Sequence, residues 1–185
     1  LATLTQRLFD NGANRVFIDI FLRSGEPQGD RRLAQVVARY PGRVLVTSGL
    51  GNPGTAQAGK FILPMPEIAK VSETVSELKW LEFWNGVATL TYASSIDGKP
   101  HRSMESAIAN VSGGVDEKDP IDYSFRVASI PYLSAAHVLS DTNAAVSVKG
   151  RDVLIGINSP TTGDMFFVPG QTRSARPFIV VAGAE

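Results

Sequence analysis

The chain has no cysteine, and this absence excludes thiol catalysis, zinc held by cysteine and disulfide cross-links. It does not distinguish the cytoplasm from an oxidising compartment. An excess of one charge is also lacking, because 18 Lys and Arg residues balance 18 Asp and Glu residues. Since no broad basic face is expected to follow a phosphate backbone, we expect no nucleic acid as a partner.

Long apolar runs are absent too. No segment approaches the roughly 20 apolar residues that a membrane-spanning helix needs, and no basic segment followed by an apolar one opens the sequence. The 185 residues, 43% of them hydrophobic, suffice to bury a full core, so we predict a single globular domain. Because the sequence starts at Leu1 and ends in an apolar segment from Phe178, we expect a piece of a longer protein.

Catalytic motifs are missing as well. The two histidines, His101 and His137, lie far apart, and neither has the spacing of a metal-ligand pair or a nucleophile beside it. No Gly-x-Ser-x-Gly motif supports serine hydrolysis. Residues 49–54 formally match a dinucleotide loop, but Pro53 removes a backbone donor and no helical period follows, which favours a flexible loop. We predict no catalytic residue, no cofactor and no metal.

Hydrophobic periodicity predicts an α/β arrangement near the N-terminus. A helix is expected from Leu1 to Asn11-Gly12, and a strand over residues 16–21. Asp30 is predicted to cap a second helix, after which residues 43–47 predict another strand. This order predicts a βαβ unit with parallel strands and a right-handed crossover.

The rest of the chain adds hairpin signals. We predict a loop at 49–66, a helix at 67–78, a strand at 87–92, a turn at Asp97-Gly98, a helix at 103–111, a strand at 121–127, a short helix opened by Ser134, and strands at Val153 and Phe178. Residues 79–84 suit a strand or a helix equally. The predicted class is α/β (α+β), with a mixed β-sheet flanked by helices.

Two aspartates carry the predictions about binding. The apolar run from Val153 to Ile155 predicts a central strand buried on both faces, and Gly156 suits a turn where a side chain would be crowded. Asp164 follows in the next loop, near the end of that strand, where ligands bind in open α/β sheets. Asp19 lies in the middle of an apolar strand, so its carboxylate needs a partner.

The role of each aspartate stays open between a structural bond and a ligand contact. Two carboxylates without a third acidic ligand do not make a metal site. A separate aromatic group, Trp80, Phe83 and Trp84, suits a patch that contacts a ligand or a partner, although such clusters are more often part of a core or an interface.

Several segments follow one another in the order of a known family pattern. They are an aliphatic strand with a central Asp (15–21), a helix opened by Asp (30–34), a second strand (43–46), an Asp-Gly turn followed by Arg102, a Pro-x-x-Ser-Ala-x-x-Val-Leu helix (130–139), and a closing stretch (148–156) with Gly163-Asp164 and Val168-Pro169. Together they resemble the second type of CHASE domain, the cyclase- and histidine-kinase-associated sensory extracellular module.

The resemblance implies that residues 1–185 form one extracytoplasmic sensory domain of a bacterial inner-membrane protein. One transmembrane helix would precede it and several would follow. Inside the cell, an adenylate or diguanylate cyclase, a cyclic-di-nucleotide phosphodiesterase or a histidine kinase would give the output. The domain itself would catalyse nothing, and its partner would be a small molecule, a periplasmic protein or a second copy in a homodimer.

The residues predicted to bind a ligand are Asp19, Arg102, Asn158 and Asp164. We expect alanine at Asp164 to preserve folding but abolish the response. Two other classes of function stay open. One is an interaction module with an interface at Trp80 or Trp84, and the other is an α/β enzyme with a non-obvious active site.

Overall fold

The computed structural model describes residues 1–23, 26–51, 58–76, 86–124, 126–141, 146–161, 165–171 and 173–185. The chain divides into two compact units, residues 1–74 with 131–155 and residues 75–130 with 156–185. We refer to them as unit 1 and unit 2. In the part of the chain described, no helix is both long enough and apolar enough to cross a membrane.

Helices and strands alternate along the chain. In chain order they are α1 (Ala2–Asp10), β1 (Val16–Ile18), α2 (Pro27–Val37), β2 (Val44–Thr47), β3 (Gly49–Leu50), β4 (Phe61–Ile62), α3 (Pro66–Ala69), β5 (Glu73–Val75), β6 (Thr89–Thr91), β7 (Ala93–Ile96), β8 (Lys99–Arg102), α4 (Met104–Ala109), β9 (Lys118–Pro120), α5 (Ala135–Ser140), β10 (Val153–Ile155), β11 (Met165–Phe167), β12 (Arg173–Ala175) and α6 (Arg176–Ala182). Short 3₁₀ turns span Val127–Ser129 and Val146–Val148.

Unit 1 is built on a four-stranded sheet in the order β10-β1-β2-β5. Strand β1 is parallel to both neighbours, and Ile18 pairs with Ile155 on one side and Val46 on the other. The α/β class and the βαβ unit β1-α2-β2 are therefore confirmed. Alternate residues of β1 and β2 pack on the helices, because apolar side chains on one face of a strand recur every second residue. They join a core that includes Leu4, Leu8, Leu33, Val37 and Ile68.

Unit 2 contains antiparallel strand pairs and two helices. The pairs are β6 with β9, β7 with β8, and β11 with β12. The β7–β8 hairpin turns at Asp97 and Gly98, with φ of 48° and 75°, which confirms the predicted Asp-Gly turn. Helix α4 packs against α6, and the buried core includes Val87, Leu90, Val127, Val168 and Ile179.

Three predictions of local structure in the first half were wrong or incomplete. Helix α2 begins at Pro27, so Asp30 lies in its first turn instead of capping it, and proline suits the first helical positions. The helix predicted over 67–78 is only Pro66–Ala69, because residues 73–75 pair within the sheet as β5. The loop at 49–66 contains the antiparallel pair β3–β4. Residues 79–84 lie outside the described ranges.

Three predictions in the second half were also wrong. The strand placed at 121–127 is β9 at Lys118–Pro120, followed by a 3₁₀ turn. The strand placed at Phe178 is helix α6, because a short run that is apolar on all sides looks the same for a buried helix and a buried strand. Strand β10 lies at the edge of its sheet and is only half-buried, whereas β1 is central and fully buried.

Candidate functional site

Asp19 lies at the carboxyl end of β1, not in the middle of the strand, because the strand ends at Ile18. Its backbone N–H donates to the carbonyl of Ile155 at 2.8 Å, which fixes the main chain between β1 and β10. The residue is 8% exposed. Alternation along the strand puts its side chain on the same face as Phe17. A buried carboxylate thus sits where parallel strands end, the usual ligand-binding edge of such sheets.

The neighbouring strand contributes further polar groups at this edge. Ile18 pairs with Val46, so Thr47 is the residue of β2 level with Asp19. Thr47 and Ser48 are both fully buried. The Thr47 hydroxyl donates to the carbonyl of Ser48 at 3.0 Å. At the carboxyl ends of the two central strands, the buried side chains therefore carry hydroxyl and carboxylate groups, whereas those within the strands are apolar.

A cation lies at the same edge. The Arg23 guanidinium stacks on the ring of Phe21, 4.8 Å from its centroid. Gly49 makes room for this pair, since a Cβ there would lie 2.6 Å from Nη2 of Arg23 and 2.9 Å from the Phe21 ring. We call Asp19, Phe21, Arg23, Ser48 and Gly49 the carboxyl edge. It offers a carboxylate, a guanidinium, a hydroxyl and an aromatic face, which suit the binding of a small polar molecule.

The other predicted binding residues belong to unit 2. Arg102 is the last residue of β8, half-buried, and its carbonyl accepts a hydrogen bond from the Ser76 N–H at 2.9 Å. Asn158 is exposed and follows β10. Asp164 lies outside the described residues, as do Trp80, Phe83 and Trp84. A binding site shared by Asp19, Arg102, Asn158 and Asp164 therefore stays a prediction.

An ion pair at the amino end of the sheet was missed at the level of sequence. The Arg15 guanidinium lies 2.5 Å from Oδ2 of Asp152, and Asn14 donates to Oδ1 of the same carboxylate at 2.9 Å. Arg15 also stacks on Phe17, 4.9 Å from the ring centroid. An arginine and an aspartate directly before two apolar strands were the signal that could have found it.

A buried polar group in unit 2 was missed as well. Glu105, in the first turn of α4, is 1% exposed, and Arg176, at the start of α6, is 6% exposed. The hydroxyl of Tyr123 is buried too. Burial, with a smaller contribution from the charge of Glu105, raises the pKa of Tyr123 to about 12. The signal in the sequence was a glutamate inside the helical segment 103–111, whose other inward residues are small or apolar.

Neither group assembles a catalytic centre or a metal site. In the described ranges no cluster of three His, Asp or Glu side chains could hold a metal ion. The carboxyl edge of a parallel sheet is the place where α/β domains often bind ligands.

The comparison with protein families identifies the class of the domain. The CHASE2 domain model matches residues 1–185, so the chain belongs to the CHASE2 domain family, and the resemblance read from the sequence is confirmed. This is a family of sensory extracellular domains of signalling proteins, which sense and do not catalyse. No curated protein and no solved structure matches the chain.

Proposed function

We propose that this chain is the periplasmic input domain of a bacterial inner-membrane receptor. The receptor's output would be an adenylate or diguanylate cyclase, a cyclic-di-nucleotide phosphodiesterase or a histidine kinase on the cytoplasmic side. The observation that carries the proposal is the match of the CHASE2 domain model to all 185 residues, because it assigns the whole chain to a sensory module. The balanced charge and the missing cysteines are compatible with this role.

The sensing step needs a ligand that binds one arrangement of the domain more tightly than another. A ligand shifts such an equilibrium only by the difference between its affinities for the two states. In unit 1, the carboxyl edge supplies groups for this discrimination, since Asp19 directly follows β1 and Arg23 lies in the connection between β1 and α2. We propose an unidentified small polar molecule as the stimulus, with a periplasmic protein as the alternative partner.

The role of the carboxyl edge is tested by a single change of charge. Asp19→Asn keeps the size of the side chain and removes its charge. In the complete receptor, we expect it to abolish or lock the output while the thermal unfolding of the domain stays cooperative. Asp10→Asn, on the exposed surface of α1, is the matched control and should leave the output unchanged. Unfolding of the Asp19 variant would assign Asp19 a structural role.

The receptor itself is tested by reading the coding sequence on both sides of residues 1–185. We expect an apolar segment of about 20 residues before Leu1, several after Glu185 and a cytoplasmic signalling domain. A reading frame without apolar spans would contradict the receptor and favour an enzyme with a non-obvious active site, which saturable turnover by the chain would establish. The interaction-module alternative rested on Trp80 and Trp84, outside the described residues, and a large apolar interface there would support it.

A further inference from the structure

The outer face of α2, continued by the turn that follows it, carries a row of polar and basic side chains. Leu33 and Val37 of this helix are buried in the core, with exposed fractions of 3% and 0%, so the opposite side of the helix faces the solvent. On that side lie Arg31, Arg32, Gln35 and Arg39, all exposed. We call Arg31, Arg32 and Arg39 the arginine stripe. Residues three or four apart share a helix face, so Gln35 is a neighbour of both Arg31 and Arg32 and lies four residues before Arg39.

Among the residues that the structure describes, no carboxylate forms an ion pair with the stripe. The helix neighbours of Arg31 and Arg32 at three and four residues are Pro27, Gln28, Gly29, Ala34, Gln35 and Val36, none of them acidic. Asp30 is adjacent in sequence, but residues one apart do not face each other on a helix. Among the described residues, neither Arg31 nor Arg32 makes an ion pair or a side-chain hydrogen bond, and Arg39 donates only to the neutral Gln6 amide, at 3.2 Å. The row therefore keeps its full positive charge.

We propose that the arginine stripe docks on the anionic phospholipid headgroups of the membrane that anchors the receptor. Guanidinium groups bind phosphate in a bidentate manner and release their hydration more readily than ammonium groups. From Arg31 to Val37, the last residue of α2, the helix rises about 9 Å at about 1.5 Å for each residue, and Arg39 lies beyond it. One small anion cannot contact cations spread over this length, whereas a surface of many phosphates can.

The proposal rests on the proposed function, because a tethered periplasmic domain is held close to the headgroups. Each basic residue near an anionic membrane contributes on the order of 1 kcal/mol, and two such residues change the binding constant about thirtyfold. Docking through α2 would orient unit 1 on the bilayer. This docking would make the output of the receptor depend on the charge of the lipids, a dependence that the carboxyl edge alone does not supply.

The test is co-sedimentation of the 185-residue chain with vesicles. One set contains equal parts of phosphatidylglycerol and phosphatidylcholine, and the other contains phosphatidylcholine alone. We expect binding to the first set only, weakened by added salt, and about thirtyfold weaker for the Arg31→Gln, Arg32→Gln double variant. The control is the Lys99→Gln, Arg126→Gln double variant, which removes the same charge from exposed positions of unit 2 and should bind normally.

Three results would overturn the docking. Equal losses in both double variants would show a general effect of net charge. Absence of binding to the anionic vesicles would exclude the lipid surface. Weaker self-association of the stripe variant in ultracentrifugation, with unchanged vesicle binding, would assign the stripe to a second copy of the chain. None of these results bears on the receptor itself, which the flanking coding sequence tests independently.

Discussion

Arg15 and Asp152 form an ion pair that closes the amino end of the parallel sheet, with Nη2 of the arginine 2.5 Å from Oδ2 of the aspartate. Each residue directly precedes a strand, and the first residues of these strands, Val16 and Val153, lie opposite each other in the register. Residue 15 and residue 152 are distant in sequence, so their contact joins the edge strand β10 to the central strand β1. The side chains are only 20% and 27% exposed.

The coupling between these two side chains should be measurable. Ion pairs near a protein surface contribute about 0.2–1 kcal/mol, and we expect a coupling within this range. The design is a double-mutant cycle with Arg15→Gln, Asp152→Asn and the double variant, followed by urea unfolding. Asp152→Asn should cost more than Arg15→Gln, because Asn14 also donates to this carboxylate. Additive effects of the two changes would show that the pair contributes nothing to stability.

The sheet was predictable wherever the sequence pattern had one structural solution. The segment from Val16 to Thr47 has two apolar runs separated by an amphipathic helix, and only a βαβ unit buries all three. The strand predicted at Phe178 was wrong, because a run that is apolar on all sides fits a buried helix as well as a strand. The prediction that β10 is a central strand was wrong for a related reason. Its apolar run does not show whether the strand has one neighbouring strand or two.

The candidate site was predictable only in part. The carboxylate of Asp19 stood out as a charged residue within an apolar run, but its predicted place in the middle of the strand was wrong, because β1 ends at Ile18. Arg23 and Gly49 gave no signal, since their proximity depends on the tertiary approach of the segment after β1 to strand β3. The burial of Glu105 and Tyr123 was not predicted, because a polar residue in a helix or loop is usually exposed.

Gly156 is a position where a side chain has no room. A Cβ there would overlap the ring of Pro177, which cannot move away because the ring is closed on the backbone. We expect Gly156→Ala to lower the free energy of unfolding by about 1–3 kcal/mol, measured by urea unfolding. Gly29→Ala in α2 is the control, since its Cβ would have no neighbour closer than 3.8 Å. It should stabilise the chain by about 0.5 kcal/mol, and equal effects at both positions would contradict the overlap.

Gly98 tests a different cause of glycine preference. Its φ is +75°, and a Cβ there would meet no atom within 4 Å. The cost of Gly98→Ala is therefore conformational alone, and we expect a loss of about 1 kcal/mol in thermal or urea unfolding. Gly98→Asn should recover part of it, because asparagine tolerates the left-handed region. An alanine variant as stable as the native chain would show that the turn relaxes to another geometry.

Tyr123 should make stability depend on pH in the alkaline range. Its pKa is raised to about 12, first by burial and then by the charge of Glu105. Because the ordinary pKa of tyrosine is 10.0, the folded chain holds the phenolic proton more tightly than the unfolded chain. This contribution to stability is complete below about pH 10 and is lost as the pH rises towards about 12. The measurement is the free energy of unfolding in urea at a series of pH values, for the native chain and for Tyr123→Phe. The difference between the two pH profiles gives the contribution of Tyr123, since phenylalanine has no proton to lose.

The share of Glu105 in this shift is tested by Glu105→Gln. Ultraviolet absorbance of the ionised phenol, taken as the difference from the Tyr123→Phe variant, gives the pKa of Tyr123 directly. Neutralising Glu105 should lower this pKa but leave it above 10.0, because burial is the larger cause. The control is Glu117→Gln, which should change the titration of Tyr92, whose pKa its charge helps to raise, and leave Tyr123 unaffected. A Tyr123 pKa that does not respond to Glu105→Gln would mean that the carboxylate is neutral or screened in the folded chain.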